Sequence, residues 1–220
     1  MIDNNFWLQR WQEPGDPAFH ETTVQPLLKK YADQFDLHQQ MTVFLPLCGK
    51  SHDIYWLAQQ VDQVYGCELS TLAIERFFNH YQLKFEKTPL SDEHICYRAE
   101  NISLISGDIF TLDMSLLPQF DLIYDRAALI ALTAEHRDGY VDKLRHQLKE
   151  SGHIFLITLD YDEQLDKPPF SINRQTVNTL FKSFKHIACL HDRTHQLAEQ
   201  DHLFQRGIAS VTYKVYKISK

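Results

Sequence analysis

The chain has 220 residues, of which 44% are apolar and 12% aromatic, enough to build one α/β domain with a sizeable core. Its 22 Lys and Arg residues against 29 Asp and Glu give a net charge of −7 without a basic block, which argues against nucleic acid or anionic lipid as a partner. We therefore expect a small-molecule ligand and no membrane contact. We also expect a monomer, because no obvious apolar helix face is left over. The amino terminus lacks a signal-peptide pattern, and no apolar run approaches the ~20 residues that span a bilayer, so we expect a cytoplasmic protein.

Strands and helices alternate along most of the chain. In order, the pattern predicts an aromatic amino-terminal segment, a helix at 21–35, a strand at 42–47, a helix capped by Ser51, a strand at 64–68, a helix capped by Ser70, strands at 102–105 and 120–124, a helix at 135–149 and a strand at 153–159. Such alternation predicts a mainly parallel sheet with helices on both faces.

The carboxyl-terminal part breaks this alternation. Residues 174–184 have a helical pattern, whereas 186–191 and 208–218 resemble two strands that follow one another, which predicts an antiparallel finish to the sheet. No linker divides the chain. We expect residues 1–220 to form a single domain, with residues 1–40 as a helical lid segment packed on it.

The turn after the first strand has the sequence Leu-Pro-Leu-Cys-Gly-Lys-Ser over residues 45–51. A phosphate-binding loop would need glycine at position 44, where this chain has Phe44, and a dinucleotide turn would need glycines of which only one is present. The second strand ends at Glu68, 19 residues after Gly49, where a carboxylate can accept hydrogen bonds from ribose hydroxyls. A nucleoside without a pyrophosphate fits these constraints, and S-adenosylmethionine is the commonest such cofactor on an α/β sheet.

Several motifs together resemble the thiopurine S-methyltransferase family, in its bacterial type. They are, in chain order, Trp7-x3-Trp11, Ala18-Phe19-His20, the 46–51 turn, Gly-Cys-Glu-Leu-Ser at 66–70, Asp-Leu-Ile-Tyr-Asp-Arg-Ala-Ala-Leu at 121–129 and Pro-Pro-Phe at 168–170. Their order and spacing match over nearly the whole chain. The resemblance implies the class I S-adenosylmethionine-dependent methyltransferase fold, with a seven-stranded, mainly parallel sheet whose last strand is antiparallel. The chain departs from the family in having Val61 and its neighbours, and Lys167, where the family usually carries glycine.

The same resemblance and the strand ends give the candidate site residues. Glu68 is expected to take the ribose hydroxyls and Leu47 to contact the cofactor through its backbone. Asp108 and Ile109 align with the positions that frame the adenine, and Arg126 lies at the strand edge where a guanidinium can bind the methionine carboxylate or a substrate anion. Residues of the amino-terminal segment complete the set, namely Trp7 and Trp11 over the cofactor and Phe19 toward the substrate.

Other chemistries have weaker support in the sequence. Four cysteines, Cys48, Cys67, Cys96 and Cys189, lie far apart without a C-x-x-C pair, which favours reduced thiols over disulfides. Cys48 has no histidine in a fixed relation that would activate it. The histidines of 186–202 with Cys189, and the acidic residues of 160–163, have spacings that metals can use, but we expect no metal.

The expected reaction is the S-adenosylmethionine-dependent S-methylation of an aromatic or heterocyclic thiol such as a thiopurine, with Arg126 as the catalytic side chain and S-adenosylhomocysteine as product. Two alternatives stay open. The acceptor can instead be inorganic, such as selenium, tellurium, sulfide or halide, or the chain can be a catalytically silent methyltransferase-like binding protein.

Overall fold

A computed structural model describes residues 4–163 and 165–220. The helices are α1 (Asn4–Gln12), α2 (Pro26–Tyr31), α3 (His52–Ala58), α4 (Thr71–His80), α5 (Ala134–Gln147) and α6 (Arg174–Leu180). The strands are β1 (Thr42–Pro46), β2 (Gln63–Glu68), β3 (Glu86–Pro89), β4 (Ile95–Ala99), β5 (Ile102–Ser106), β6 (Phe120–Arg126), β7 (Leu148–Asp160), β8 (His186–Gln196) and β9 (Ser210–Ser219). They form one nine-stranded sheet in the order β3-β4-β5-β2-β1-β6-β7-β9-β8.

The centre of the sheet is parallel. Strands β5, β2, β1, β6 and β7 run in one direction, and β9 pairs antiparallel with β7 on one side and with β8 on the other. These seven strands are the α/β core that the sequence predicts. The order reverses at β1, so the carboxyl ends of β1 and its neighbours form the crevice in which such sheets bind ligands.

An additional hairpin brings the strand count from the seven predicted to nine. β3 and β4 pair antiparallel with each other, and β4 pairs antiparallel with β5. All residues of β3 are exposed, so the strand has no alternation of apolar and polar residues that would reveal it in the sequence. The hairpin extends the edge of the sheet away from the crevice.

Two apolar layers enclose the sheet. One is built on α5 and α6 and the other on α2, α3 and α4. The helix predicted at 21–35 begins later than expected, because Pro26 takes the first helical position and Gln25 caps it by accepting from the Leu27 N–H. Ser51 and Ser70 cap α3 and α4 as predicted. Within the part of the chain that the structure describes, no helix is both long and apolar enough to cross a membrane.

Candidate active site

A large cleft opens at the carboxyl ends of the central parallel strands. Its volume is about 1420 Å³, and the turns that follow β1, β2, β5 and β6 form its floor. The amino-terminal segment covers one side and the 165–170 loop another. All eight candidate site residues line this one cleft, namely Trp7, Trp11, Phe19, Leu47, Glu68, Asp108, Ile109 and Arg126.

The turn after β1 is tightly curved and lies close to β2. Leu47 and Gly49 both have left-handed backbones, with φ of 48° and 54°. The Cys48 side chain lies against Gly66 so closely that a Cβ on this glycine would come within 2.7 Å of the Cys48 Sγ. Gly66 therefore lets the turn pack down on β2, where the Cys48 N–H donates to the Cys67 carbonyl at 3.0 Å.

Glu68 is held at the end of β2 by backbone donors from two turns. Its Oε2 accepts from the Gly49 N–H and its Oε1 from the Ser70 N–H, both at 2.8 Å. Burial raises the pKa of the Glu68 carboxyl, and these two hydrogen bonds oppose that shift. Each carboxylate oxygen keeps a further lone pair, so the group can still accept two hydrogen bonds from a diol in the cleft.

The turn after β5 is fixed from several sides. Asp108 Oδ1 accepts from the Phe110 N–H, and its Oδ2 accepts from the Asn4 side-chain amide at 2.9 Å. The Lys143 ammonium donates to the backbone carbonyls of Ile109, Phe110 and Leu112, which closes the turn from the α5 side. Ile109 is buried in the apolar core beside the cleft. The turn thus places a carboxylate, each of whose oxygens keeps one further lone pair, and an aliphatic side chain at the same corner.

The residues after β6 divide into a buried carboxyl group and a cleft-facing guanidinium. Asp125 is fully buried and accepts from the Tyr140 hydroxyl at 2.7 Å and from the Leu129 N–H at 3.1 Å. Burial raises the pKa of Asp125 to about 6, against the effect of these hydrogen bonds. Ala127 has a φ of 71°, so the chain turns sharply here. Asp125 therefore holds the turn that presents Arg126, whose guanidinium forms an ion pair at 2.9 Å with Glu21.

The aromatic residues of the amino-terminal segment pack edge to face over the cleft. Phe19 contacts both Trp7 and Trp11, with ring centroids 5.6 Å apart in each pair. Trp11 is buried and lies over Gly49, where an added Cβ would come within 3.1 Å of its ring. The amino-terminal segment therefore packs directly on the 46–51 turn.

An ion pair reinforces that contact. The Lys50 ammonium lies 2.6 Å from an Asp16 carboxylate oxygen, and the His20 ring lies close to both Asp16 and His52. Burial, followed by the charge of Lys50, lowers the pKa of His20 to about 4. A neutral His20 therefore favours the packing of the amino-terminal segment on the 46–51 turn, and protonation of His20 disfavours this packing.

This arrangement predicts an acid-sensitive contribution of His20 to stability. Because its pKa is about 4 in the folded chain and about 6.5 when unfolded, the unfolded state binds more protons between these values. Stability should fall as pH decreases through that window, and His20→Gln should make the fall shallower. Urea unfolding at pH 4.5 and 7 measures this, with His146→Gln as a control at an exposed histidine. An unchanged pH slope in His20→Gln would contradict the assignment.

The 165–170 loop borders the cleft, and side chains donate hydrogen bonds to three of its backbone carbonyls. The Arg206 guanidinium donates to the carbonyls of Lys167 and Pro168, at 2.5 and 2.7 Å. The Tyr161 hydroxyl donates to the carbonyl of Pro169. Local sequence patterns give no sign of this role of Arg206, because its partners lie almost 40 residues earlier in the chain.

The residues present fit S-adenosylmethionine. The curved turn at Leu47–Gly49 leaves room for a ligand against its backbone, and the Glu68 carboxylate suits a ribose diol. Asp108 can accept from an amino group of a base, and Ile109 can cover its ring. Roles in binding for these residues stay predictions. Lys50, His20, Tyr213 and Arg206 also line the cleft and were not among the candidates.

The geometry gives little support to a cysteine nucleophile or to a metal site. Burial raises the pKa of the Cys48 thiol well above its usual value, which leaves it a poor nucleophile. One ring nitrogen of His191, Nδ1, is bonded to the Tyr31 hydroxyl at 2.9 Å. Within residues 4–163 and 165–220, no group of three or more His, Cys, Asp or Glu side chains is placed to hold a metal ion.

Comparison with known proteins agrees with this geometry. A family model described as thiopurine S-methyltransferase matches residues 2–220. A relative named thiopurine S-methyltransferase from Xanthomonas axonopodis pv. citri is 39% identical over 222 residues, covering all of both chains. Another of that name, from Vibrio atlanticus, is 36% identical over 99% of this chain and 98% of its own.

Solved structures share the fold at much lower identity. The N-methyltransferase NodS from Bradyrhizobium japonicum, in complex with S-adenosyl-L-homocysteine, has a TM-score of 0.65 at 16% identity and covers 99% of this chain and 100% of its own. The 1,6-didemethyltoxoflavin-N1-methyltransferase from Burkholderia thailandensis has a TM-score of 0.66 at 10% identity, over 99% and 87% of the two chains. These likenesses concern the fold alone.

Proposed function

The chain belongs to the thiopurine S-methyltransferase family and is an S-adenosylmethionine-dependent S-methyltransferase, and we propose that its acceptor is an aromatic or heterocyclic thiol such as a thiopurine. The observation that carries the proposal is the joint placement of Glu68 and Arg126 in one large cleft, on neighbouring parts of the sheet edge. In this proposal Glu68 binds the cofactor, and Arg126 stabilises the sulfur that receives the methyl group.

The half of the cleft over β1, β2 and β5 holds the cofactor in this proposal. Glu68 takes the ribose hydroxyls, Leu47 contributes its backbone, and Asp108 with Ile109 frames the adenine. Trp7 and Trp11 then lie on the solvent side, where an apolar cover excludes water from the reacting groups. When bound, S-adenosylmethionine supplies a methyl group activated by its sulfonium charge.

The other half, over β6, β7 and β9, receives the acceptor. Arg126 lies there together with apolar and aromatic surface, namely Phe19, Leu159, Pro168, Pro169, Leu203 and Tyr213. A lining of this kind suits a flat ring better than a small hydrated anion, since an inorganic ion would leave most of the apolar surface uncovered. This apolar and aromatic lining favours an aromatic thiol over the inorganic acceptors.

The residues act mainly by alignment and by charge. Methyl transfer requires the acceptor sulfur opposite the leaving thioether at a near-attack distance of ~3–3.5 Å, which the turns of the cleft and the covering aromatic residues can impose. The Arg126 guanidinium stabilises an acceptor in its thiolate form, so that no separate base is needed at the moment of reaction. In this scheme Arg126 is the one catalytic side chain, and its guanidinium would also be able to bind the cofactor's carboxylate.

Acceptor competition tests the proposal. The protein is incubated with S-adenosylmethionine and equal concentrations of thiophenol and sodium sulfide, and the methylated products are quantified by mass spectrometry. We expect thioanisole to dominate. Dominant methanethiol would favour the inorganic alternative, and binding of S-adenosylhomocysteine without any product would favour a silent binding protein.

A further prediction concerns the loop that borders the acceptor half. Because Arg206 bonds two consecutive carbonyls of that loop, Arg206→Met should loosen the wall and raise KM for thiophenol by about tenfold, the loss expected for one to two charged hydrogen bonds. The dissociation constant of S-adenosylhomocysteine should change by less than about twofold, since the cofactor half is untouched. Arg174→Met removes an exposed guanidinium bonded to Asp192 and is the control. Equal losses in acceptor and cofactor binding would contradict this local role.

We also propose that the chain acts as a monomeric cytoplasmic enzyme on small molecules, with residues 1–40 as the lid of a single domain. The contacts of Trp11 with Gly49 and of Asp16 with Lys50 support the lid. Light scattering on the purified chain, with and without S-adenosylhomocysteine, tests the monomer. A dimer mass in either state would contradict it.

A further inference from the structure

The Arg126 guanidinium has a carboxylate partner that the reaction itself does not require. Glu21 Oε1 lies 2.9 Å from Arg126 Nη2. The Arg126 side chain is 15% exposed, whereas that of Glu21 is 58% exposed. A nearly buried cation is thus neutralised by a carboxylate at the edge of the cleft, and that carboxylate comes from the amino-terminal segment.

The groups around Arg126 leave Glu21 as the one that neutralises the guanidinium charge. Asp125, the neighbour of Arg126, is turned away and bonded to Tyr140 and Leu129. Tyr213 faces the pair: burial raises the pKa of its hydroxyl, the Glu21 charge adds to that shift, and the Arg126 charge opposes it. Among the described residues, Glu21 is the carboxylate that forms an ion pair with Arg126.

We propose that Glu21 sets the charge preference of the acceptor site by screening Arg126. This inference rests on the proposed role of Arg126 toward the acceptor. With Glu21 in place, an arriving thiolate meets a neutral pair and must compete with the carboxylate for the guanidinium. The screening lowers the advantage of anionic acceptors over neutral ones, so the site tolerates thiols that are protonated when they enter.

The bond changes are the same for both kinds of acceptor. The acceptor sulfur forms a bond to the methyl carbon as the bond from that carbon to the sulfonium sulfur breaks, and the electron pair of that bond stays on the leaving thioether. A thiolate reacts without any proton transfer. A neutral thiol must also release its proton to solvent, which costs more when no negative charge is nearby.

The test compares two acceptors that differ in charge at pH 7. The thiol of 4-nitrothiophenol is ionised at this pH, and that of 2-phenylethanethiol is protonated. The ratio of their kcat/KM values is measured for the wild type and for Glu21→Gln, which keeps the shape of the side chain and removes its charge. We expect the ratio to rise about tenfold in favour of the ionised thiol, as removal of one partly exposed unit charge predicts. The matched control is Glu150→Gln, at an exposed glutamate paired with Lys220 at 3.3 Å and outside the lining of the cleft, and its ratio should stay within about twofold of the wild type.

An unchanged ratio in Glu21→Gln would overturn the proposal, and so would a lower one, which would mean that Glu21 orients Arg126 instead of screening it. Calorimetric titration of the S-adenosylhomocysteine complex with 4-nitrothiophenolate provides a readout that does not depend on turnover. Tighter binding to Glu21→Gln than to the wild type supports the screening role even if neither thiol is methylated. Absence of methylation by the wild type would then count against the proposed acceptor class alone.

Discussion

Glu68→Ala is expected to weaken the binding of S-adenosylhomocysteine by about 100-fold, measured by calorimetric titration at pH 7. The substitution removes two charge-assisted hydrogen bonds to the ribose, and such bonds contribute about 1.5–3 kcal/mol each, part of which solvent recovers. It also releases the N–H groups of Gly49 and Ser70, which Glu68 holds at 2.8 Å. The turn that carries Leu47 should then lose definition, adding to the loss.

Two further variants separate these effects. Glu68→Gln keeps an oxygen acceptor but introduces an amide that cannot accept from both backbone donors, so an intermediate loss is expected. Glu150→Ala removes an exposed carboxylate outside the lining of the cleft and should leave the affinity unchanged. Thermal unfolding of each variant shows whether the fold is kept. Full affinity in a folded Glu68→Ala protein would refute the ribose contact.

The second large effect is expected at Arg126. Arg126→Ala should lower kcat/KM for thiophenol by about 100-fold, the loss expected when a charged partner of the reacting sulfur is removed. Cofactor affinity should fall much less, because Glu68 and the turns after β1 and β5 remain. Glu21 is left without its partner in this variant, but it is 58% exposed, so water can solvate it at little cost.

Arg126→Lys tests whether charge alone is sufficient. A lysine keeps the positive charge but cannot offer the planar set of donors, so partial recovery of kcat is expected. The measurements are steady-state kinetics with thiophenol and calorimetry with S-adenosylhomocysteine on the same preparations. A loss confined to cofactor affinity would place Arg126 on the cofactor alone and remove its role toward the acceptor.

The sequence predicted the parts of the molecule that local patterns encode. The alternation of apolar runs and capping residues indicates the central strands, and Ser51 and Ser70 are identifiable as caps because their position before an apolar helical period is a local signal. The turn at 46–51 and the acidic strand end at Glu68 indicated a nucleoside ligand for the same reason. The family, the methyltransferase fold and the cofactor were confirmed.

What escaped prediction depends on long-range geometry. The β3–β4 hairpin lacks a buried face on β3, so no periodicity marks it. The contacts of Glu21 with Arg126 and of Asn4 with Asp108 join residues 104 or more positions apart, and spacing along the chain carries no trace of such pairs. The pKa of Asp125 rises to about 6 because of burial under α5, which its place beside Arg126 in the sequence does not reveal.

The most direct test of the account follows the methyl group itself. The wild-type protein is incubated with S-adenosylmethionine carrying a deuterated methyl group and with thiophenol, and both products are quantified by mass spectrometry. Deuterated thioanisole and S-adenosylhomocysteine should form in equal amounts, and both should be reduced strongly in Glu68→Ala and Arg126→Ala. No labelled thioether from a protein that binds S-adenosylhomocysteine would contradict the assignment of aromatic thiols as its acceptors.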